Sequence, residues 1–323
     1  MNLSVDQPAE ATFSPFGIAR LGSCFGDATM ELDDLTHREI CSVEEVDAIR
    51  AAGSRQFFRS MTLSIEELAV DATRNVLREA GIEPADVGFL VFCSTVFEST
   101  ALYPDVIASR IADGAGCVHA KTFSVQHAYC VSPFVALQIL KEYFGEREQP
   151  AYGVVVCADM IGKSAEYLRP IGVLGVHSDG AAAMLVTNRS PEFQLLDTEI
   201  FIDPARFQGR SDDGRIQHDV RYFMLLAKVL KTLLNRCNVD SMDDVALFPN
   251  NLSAPSWRKI GQLLSIREEN ILLGEMPRVA HVFGADPFLN LASPACATDR
   301  RYALLVASGI AGAFGAALMR RCL

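Results

Sequence analysis

Of the nine cysteines in this chain, one stands where a thiol can do chemistry. Cys130 lies in Ser124-Val-Gln-His-Ala-Tyr-Cys130-Val-Ser-Pro-Phe134, where a short polar–apolar run gives way to a helical pattern carried by Phe134, Val135, Leu137, Ile139 and Leu140. A thiol at a helix start feels the positive end of the helix dipole and backbone N–H groups that have no partner within the helix. Both favour the thiolate, which is the nucleophilic form. The competing reading is a core cysteine, because free cysteines are among the most buried residues. The remaining cysteines have no comparable context. None forms a Cys-x-x-Cys pair, and no Cys/His cluster has zinc spacing, so no metal site is expected. His127 precedes Cys130 by three residues and is a rival base, but on an extended run that spacing turns the side chain away from the thiol.

The elements that must position such a thiol are legible. Residues Ser64 to Ala80 read as a helix: Ser64 and Glu67 make a capping box, Ile65, Leu68, Ala69, Ala72, Val76 and Leu77 share a face, and Gly81 ends it. A turn at Glu83-Pro84 leads into a buried strand, Val87 to Cys93. A second unit repeats the plan, with a helix over Tyr222–Leu234, a turn over Asn238–Asp244 and a strand over Val245–Phe248. Aligning Leu77–Val87 with Leu234–Val245 needs one inserted residue, which points to an internal duplication at half-chain scale. Further strands are expected at Gly153–Ala158, Ala181–Val186 and Tyr302–Val306. Helices alternating with unalternated apolar strands indicate an α/β fold with a buried sheet. Two halves are expected, 1–187 carrying Cys130 and 188–323, meeting near Asn188-Arg-Ser-Pro-Glu192.

Composition excludes several classes. Half of the 323 residues are hydrophobic and 21% are charged, enough for a large core. The net charge of −11 argues against a nucleic-acid or anionic-membrane surface. The densest basic spots are Arg206 to Arg215 and Arg258-Lys259, where an acidic partner would have to dock. No signal peptide is visible, so a reduced, cytoplasmic location is expected. The uncharged run Tyr302 to Met319 is interrupted by Gly309, Gly312 and Gly315 and reads as two buried strands joined by a glycine turn, not as a membrane span.

Taken in order, these pieces resemble the thiolase superfamily, and more narrowly β-ketoacyl-carrier-protein synthase III and its relatives. The helix, turn and strand over Ser64–Thr95 resemble the first repeat of that family. Tyr129-Cys130, with Ala136-Leu137 following, matches its nucleophile segment; Val176-His-Ser-Asp-Gly-Ala-Ala-Ala-Met-Leu185 resembles its Gly-Asp-Gly-Ala strand; and Ala307–Arg320 resembles its glycine-rich C-terminal signature. The resemblance implies a thiolase-like fold of two pseudo-symmetric α/β halves, each with a five-stranded sheet, stacked as a five-layer αβαβα arrangement. It also implies a homodimer and an acyl group passing through Cys130.

The same resemblance shows where the chain departs. The family's decarboxylating histidine lies in a Pro-His-Gln-Ala-Asn motif; here the place reads Phe248-Pro-Asn-Asn-Leu-Ser-Ala254, with Asn250 at the histidine position. Its asparagine lies in Tyr-Gly-Asn-Thr-Ser; here the place reads His281-Val-Phe-Gly-Ala-Asp-Pro-Phe288, with Ala285 at the asparagine position. That loop supplies His281 and Asp286 instead, which resembles a divergent acyltransferase branch of natural-product pathways with a Cys (or Ser), His and Asp triad. In such a triad His281 takes the thiol proton and later that of an acceptor, while Asp286 fixes its tautomer. The competing readings are a hydrogen-bonded loop histidine and a helix-capping aspartate before Pro287. Asn250 is expected to donate to a thioester carbonyl. By analogy, an oxyanion hole is expected from the N–H groups of Cys130 and of the Gly309-Ile310 turn. His177 reads as a buried residue beside the Asp179-Gly180 turn, and Trp257 as a core anchor.

The expected function is acyl transfer from an acyl-carrier-protein phosphopantetheine or coenzyme A thioester to a small-molecule acceptor, with no bound cofactor. The alternatives are a ketosynthase III-type condensing enzyme and a non-catalytic partner subunit of an active homologue.

Overall fold

Alternation of side chains along the strands divides the molecule into layers. The structure is a computed structural model that describes residues 15–95, 106–145, 151–205, 220–309 and 312–322. The first part contains β1 (Gly17–Phe25), β2 (Ala28–Glu31), α1 (Asp33–His37), α2 (Val43–Ala52), β3 (Gln56–Arg59), α3 (Ile65–Ala80), β4 (Val87–Cys93), α4 (Ile107–Ala115), β5 (Lys121–Val125), α5 (Ser132–Gly145), β6 (Tyr152–Asp159) and β7 (Gly180–Thr187). The second contains β8 (Phe193–Ile202), α6 (Tyr222–Arg236), β9 (Val245–Pro249), α7 (Ala254–Leu264), α8 (Met276–Val279), α9 (Asp286–Ala292), β10 (Tyr302–Ser308) and β11 (Ala313–Arg321).

Nine strands are joined in the order β5-β4-β6-β7-β1-β8-β11-β10-β9. Read outward from the β1–β8 seam, both sides follow one plan. On one side β7, β6, β4 and β5 follow β1, with β6–β7 antiparallel and β4–β6 parallel. On the other β11, β10 and β9 follow β8, with β10–β11 antiparallel and β9–β10 parallel. The expected fifth strand of the second side is reduced to one parallel bridge, Ile271 to Leu247. The chain there emerges from a 3-10 turn at Glu268–Asn270 and forms the single ladder bond Leu272 N–H to Leu247 O, at 2.8 Å.

Period-two alternation then sorts the faces. Phe89, Val91, Cys93, Val155, Cys157 and Met184 face inward, in one cluster with Leu137 of α5 and Phe288 of α9. Their neighbours Leu90, Phe92, Val154 and Val156 face outward onto α3 and α4. On the second side Ala246, Phe248, Leu305 and Ala307 meet the same inner helices, while Leu247, Leu304 and Val306 meet α6 and α7. The outcome is five layers: α3 and α4, a sheet, α5 and α9, a sheet, α6 and α7. Each fully buried Leu, Val or Phe contributes about 1.5–3 kcal/mol, so the inner layer is fixed from both faces.

Local signals agree with this plan. Ser64 and Glu67 form both halves of the capping box, and Gly81 closes α3 with a φ of 64°. The turn after α3 passes through a 3-10 segment, Pro84–Asp86; that after α6 passes through Asn238, at φ 51°, and a 3-10 segment, Met242–Asp244. The uncharged run from Tyr302 is the β10–β11 hairpin. Among the described residues no helix is long and apolar enough to cross a membrane. A satellite unit, β2–β3 with α1 and α2, buries Leu35, Val46, Ile49 and Phe57 against Val176 and Ala280. That packing braces the segment entering the His281 loop.

Candidate active site

Two turns with unusual backbone meet at the centre of the inner layer. Cys130 lies in a 3-10 turn, Tyr129–Val131, directly ahead of α5. Tyr129 has a φ of 52°, a left-handed conformation that costs a non-glycine residue roughly 1–2 kcal/mol. The corresponding turn before α9, Phe283–Ala285, carries Phe283 at φ 51°. Two glycines let these turns approach. A Cβ on Gly284 would lie 3.1 Å from the Cys130 carbonyl oxygen, and one on Gly315 of β11 would lie 2.3 Å from a Val131 methyl. Cys130 is consequently buried, at 4% exposure.

His281 enters from the opposite turn. Its backbone pairs with the strand-like segment before β7: Ser178 N–H donates to its carbonyl at 2.8 Å, and its own N–H donates to Val176 O at 3.0 Å. His177 lies on this segment, partly buried, with its ring stacked on Phe283 at 4.3 Å. The segment is anchored by a buried ion pair in which Arg169 contacts both oxygens of Asp179 at 3.0 Å. Asp179 also accepts the N–H groups of Ser60 and Ile161. The imidazole therefore sits on a rigid support.

Nε2 of His281 lies 3.9 Å from the Cys130 sulfur, and Nδ1 lies 2.5 Å from Asp286 Oδ2. An ionised carboxylate only accepts, so Nδ1 carries a proton in either charge state; Nε2 offers its lone pair to the thiol when the ring is neutral and donates to the sulfur once the ring is an imidazolium. Asp286 is fully buried. Its Oδ1 accepts the Val282 N–H at 2.6 Å and its Oδ2 accepts the Asn251 N–H at 2.7 Å, while Ala285, the cap of α9, makes no side-chain bond. Asp286 thus serves the histidine loop, not the helix it begins. Burial disfavours the imidazolium, but the charge and hydrogen bond of Asp286, with further help from Cys130, outweigh it and lift His281 from 6.5 to about 10. The arrangement can accept a thiol proton and stabilise the resulting imidazolium.

Asn250 has other partners than expected. It is fully buried; its Nδ2 donates to Phe283 O at 3.0 Å and its Oδ1 accepts the Ser308 N–H at 2.7 Å. It ties the end of β10 to the histidine loop, and a thioester does not reach it without displacing these bonds. The Gly309 N–H, expected to face an oxyanion, is likewise committed, to Ala313 O at 2.8 Å, as part of the hairpin. Ile310 and the basic stretch Arg206 to Arg215 lie outside the described residues. The rival base His127 is exposed and has a φ of 66°. Trp257 is a core residue at 2% exposure, and Arg258 beside it pairs with Glu268 at 2.6 Å.

Three residues of the site carry no role in the sequence reading. Asn251 gives its N–H to Asp286, and Asn290 holds Asn251 by an Nδ2–Oδ1 bond of 2.8 Å while also donating to Pro249 O. Asn290 lies one helical turn after Asp286, a spacing that puts both on one face of α9. The third is Thr95, two residues past the end of β4, whose hydroxyl lies 3.9 Å from the Cys130 sulfur.

The layered α/β architecture, with the two turns paired at its centre, is the thiolase-like fold. No family model matches this chain, and no curated protein matches it in sequence. Solved structures do. The chain superposes on ChlB3, described as an acyltransferase, with a TM-score of 0.80 at 15% identity, covering 95% of this chain and 98% of that one. It superposes on 3-oxoacyl-(acyl carrier protein) synthase III of Pseudomonas aeruginosa with a TM-score of 0.79 at 18% identity, covering 96% and 99%. The priming β-ketosynthase of the R1128 polyketide biosynthetic pathway gives 0.74 at 18% identity, covering 95% and 96%. These likenesses establish the fold across nearly the whole chain.

Proposed function

We propose that the protein is an acyltransferase of specialised metabolism that works through a Cys130 acyl-enzyme. The observation that carries this reading is His281, with Nε2 facing the Cys130 sulfur and Nδ1 bound to Asp286. His281 takes the thiol proton as Cys130 attacks the carbonyl carbon of an acyl-carrier-protein or coenzyme A thioester. The carbonyl π pair moves to oxygen, the C–S bond to the carrier breaks, and the departing thiolate recovers the proton from the imidazolium. In the second half, His281 takes the proton of an acceptor hydroxyl or amine, the new acyl bond forms, and the Cys130 thiolate leaves. The backbone N–H of Cys130 is the proposed oxyanion donor. Cytoplasmic location, homodimerisation and a small-molecule acceptor belong to the same proposal.

A second reading, carbon–carbon condensation, draws support from the ketosynthases among the structural neighbours. Against it stand Asn250 and Ala285 at the positions of the decarboxylating pair, neither of which shuttles a proton. Incubation with malonyl and simple acyl thioesters, with carbon dioxide release and acyl transfer to water, alcohols and amines measured in parallel, separates the readings. Transfer without carbon dioxide release is expected. Robust release from a malonyl thioester would sink heteroatom transfer. A third reading, a non-catalytic partner subunit, is favoured by no feature of the site.

A further inference from the structure

Cys130 has a second polar neighbour besides His281. The hydroxyl of Thr95 lies 3.9 Å from Sγ, the same separation as His281 Nε2. Its placement follows from the sheet. Thr95 follows the carboxyl end of β4, and Asp159 ends β6, the parallel neighbour of β4; ligands of open α/β sheets gather beyond such strand ends. Asp159 is buried at 2% exposure, and one of its oxygens accepts both the Thr95 N–H, at 2.6 Å, and the Ser94 hydroxyl, at 2.9 Å. That pair of bonds fixes the backbone from which the Thr95 hydroxyl projects to the sulfur. A buried carboxylate with this geometry is costly unless fully hydrogen-bonded, so the strand end is held firmly.

We infer that Thr95 is a catalytic hydroxyl that donates to the Cys130 thiolate whenever that thiolate forms, with Asp159 as its positioning residue. The inference rests on the Cys130 nucleophile reading and adds a second donor to it. In the first half-reaction the thiol proton moves to His281 Nε2, and the Thr95 O–H turns to the sulfur that has gained the electron pair. As the S–C bond forms, that pair is shared with the acyl carbon and the hydroxyl is released. In the second half the S–C bond breaks, the pair returns to sulfur, and Thr95 donates again to the leaving thiolate. Thr95 loses no proton at any point. Among the described residues, the titratable groups that feel the Cys130 sulfur are His281 from the opposite turn, Tyr222 at the start of α6 and Cys157 on β6. Of these, only His281 also makes a contact with the sulfur, and it is the proton acceptor. Thr95 contributes a donor that does not itself titrate.

The test reads the thiol alone, without an acyl donor. Cys130 alkylation by iodoacetamide is followed by peptide mass spectrometry across pH in the full-length wild type, Thr95→Val and Thr95→Ser. A hydrogen bond to a charged acceptor implies a loss of about 10- to 100-fold in alkylation rate at neutral pH for Thr95→Val. The deficit should close as pH rises and added base removes the thiol proton, a trend that simple misplacement of the turn would not produce. Thr95→Ser keeps the hydroxyl and should stay within a few-fold of wild type, which guards against a folding defect in the valine variant. Equal rates in wild type and Thr95→Val at neutral pH, or a deficit in Thr95→Val that does not change with pH, would overturn the inference while leaving the acyl-enzyme reading intact. A wild type in which Cys130 takes no label at any pH would overturn both.

Discussion

Replacing Asp286 by Asn tests the electrostatic basis of the site. Asp286 is the main reason that buried His281 is lifted from 6.5 to about 10. At about 1.36 kcal/mol per pKa unit, that lift is on the order of 5 kcal/mol in favour of the imidazolium. In Asp286→Asn the charge is gone and burial works against the imidazolium, so His281 should titrate in the ordinary histidine range or below. The carboxamide also turns an N–H toward either the Val282 or the Asn251 N–H, both of which Asp286 accepts. One of those donors is left unsatisfied, costing about 1–3 kcal/mol. The sign of the linkage follows from a folded value above the unfolded one. The stabilisation from protonated His281 is complete below pH 6.5 and is lost as pH rises through about 10. Wild type should therefore lose stability across that window, and Asp286→Asn should show little of that slope. The assay is the imidazole Cε1–H resonance in labelled protein, followed from pH 5 to 11, with urea unfolding at matched pH. Turnover should fall by roughly 10³- to 10⁴-fold, because the carboxamide favours the wrong tautomer. A wild-type His281 that titrates near 6.5, or a variant that still titrates near 10, would refute the reasoning.

Other consequences follow from named contacts. Asn290→Ala removes the bonds to Asn251 and Pro249 and should lower stability by about 1–3 kcal/mol in denaturant titrations, with a smaller fall in the His281 titration point. Gly284→Ala sets a methyl 3.1 Å from the Cys130 carbonyl and 3.2 Å from the Pro133 ring; the protein should fold, with alkylation at Cys130 slowed as the two turns separate. Ser64→Ala removes the Oγ that accepts the Glu67 N–H at the start of α3, while the N–H of residue 64 still donates to the Glu67 carboxylate; it should cost about 1 kcal/mol, with turnover unchanged because α3 lies in an outer layer.

Which parts of this were legible in the chain has a physical logic. The strands Val87–Cys93 and Val245–Phe248, and the helices that precede them, declare themselves through local signals: caps, a turn and an unbroken apolar run. The first strand, Gly17–Phe25, does not, because Arg20, Gly22 and Ser23 interrupt its apolar residues and its pairing with β7 and β8 is decided at long range. The satellite around Leu35 and Ile49 escapes for the same reason. In the site, Cys130, His281 and Asp286 are visible because their residue types and loop positions match a known pattern. Asn251 and Asn290 are not, since a buried amide acquires its partners only when the loops close. Asn250 and Gly309 show the converse: both could donate to a substrate, and in the folded chain backbone groups have already claimed them.

The central claim is that Cys130 carries an acyl group. Intact-protein mass spectrometry after brief incubation with a panel of acyl-coenzyme A and acyl-carrier-protein thioesters measures it directly. The expected result is a single acyl adduct that maps to Cys130, disappears in Cys130→Ala and forms far more slowly in His281→Ala. No adduct with any thioester, or an adduct that survives Cys130→Ala, would contradict it.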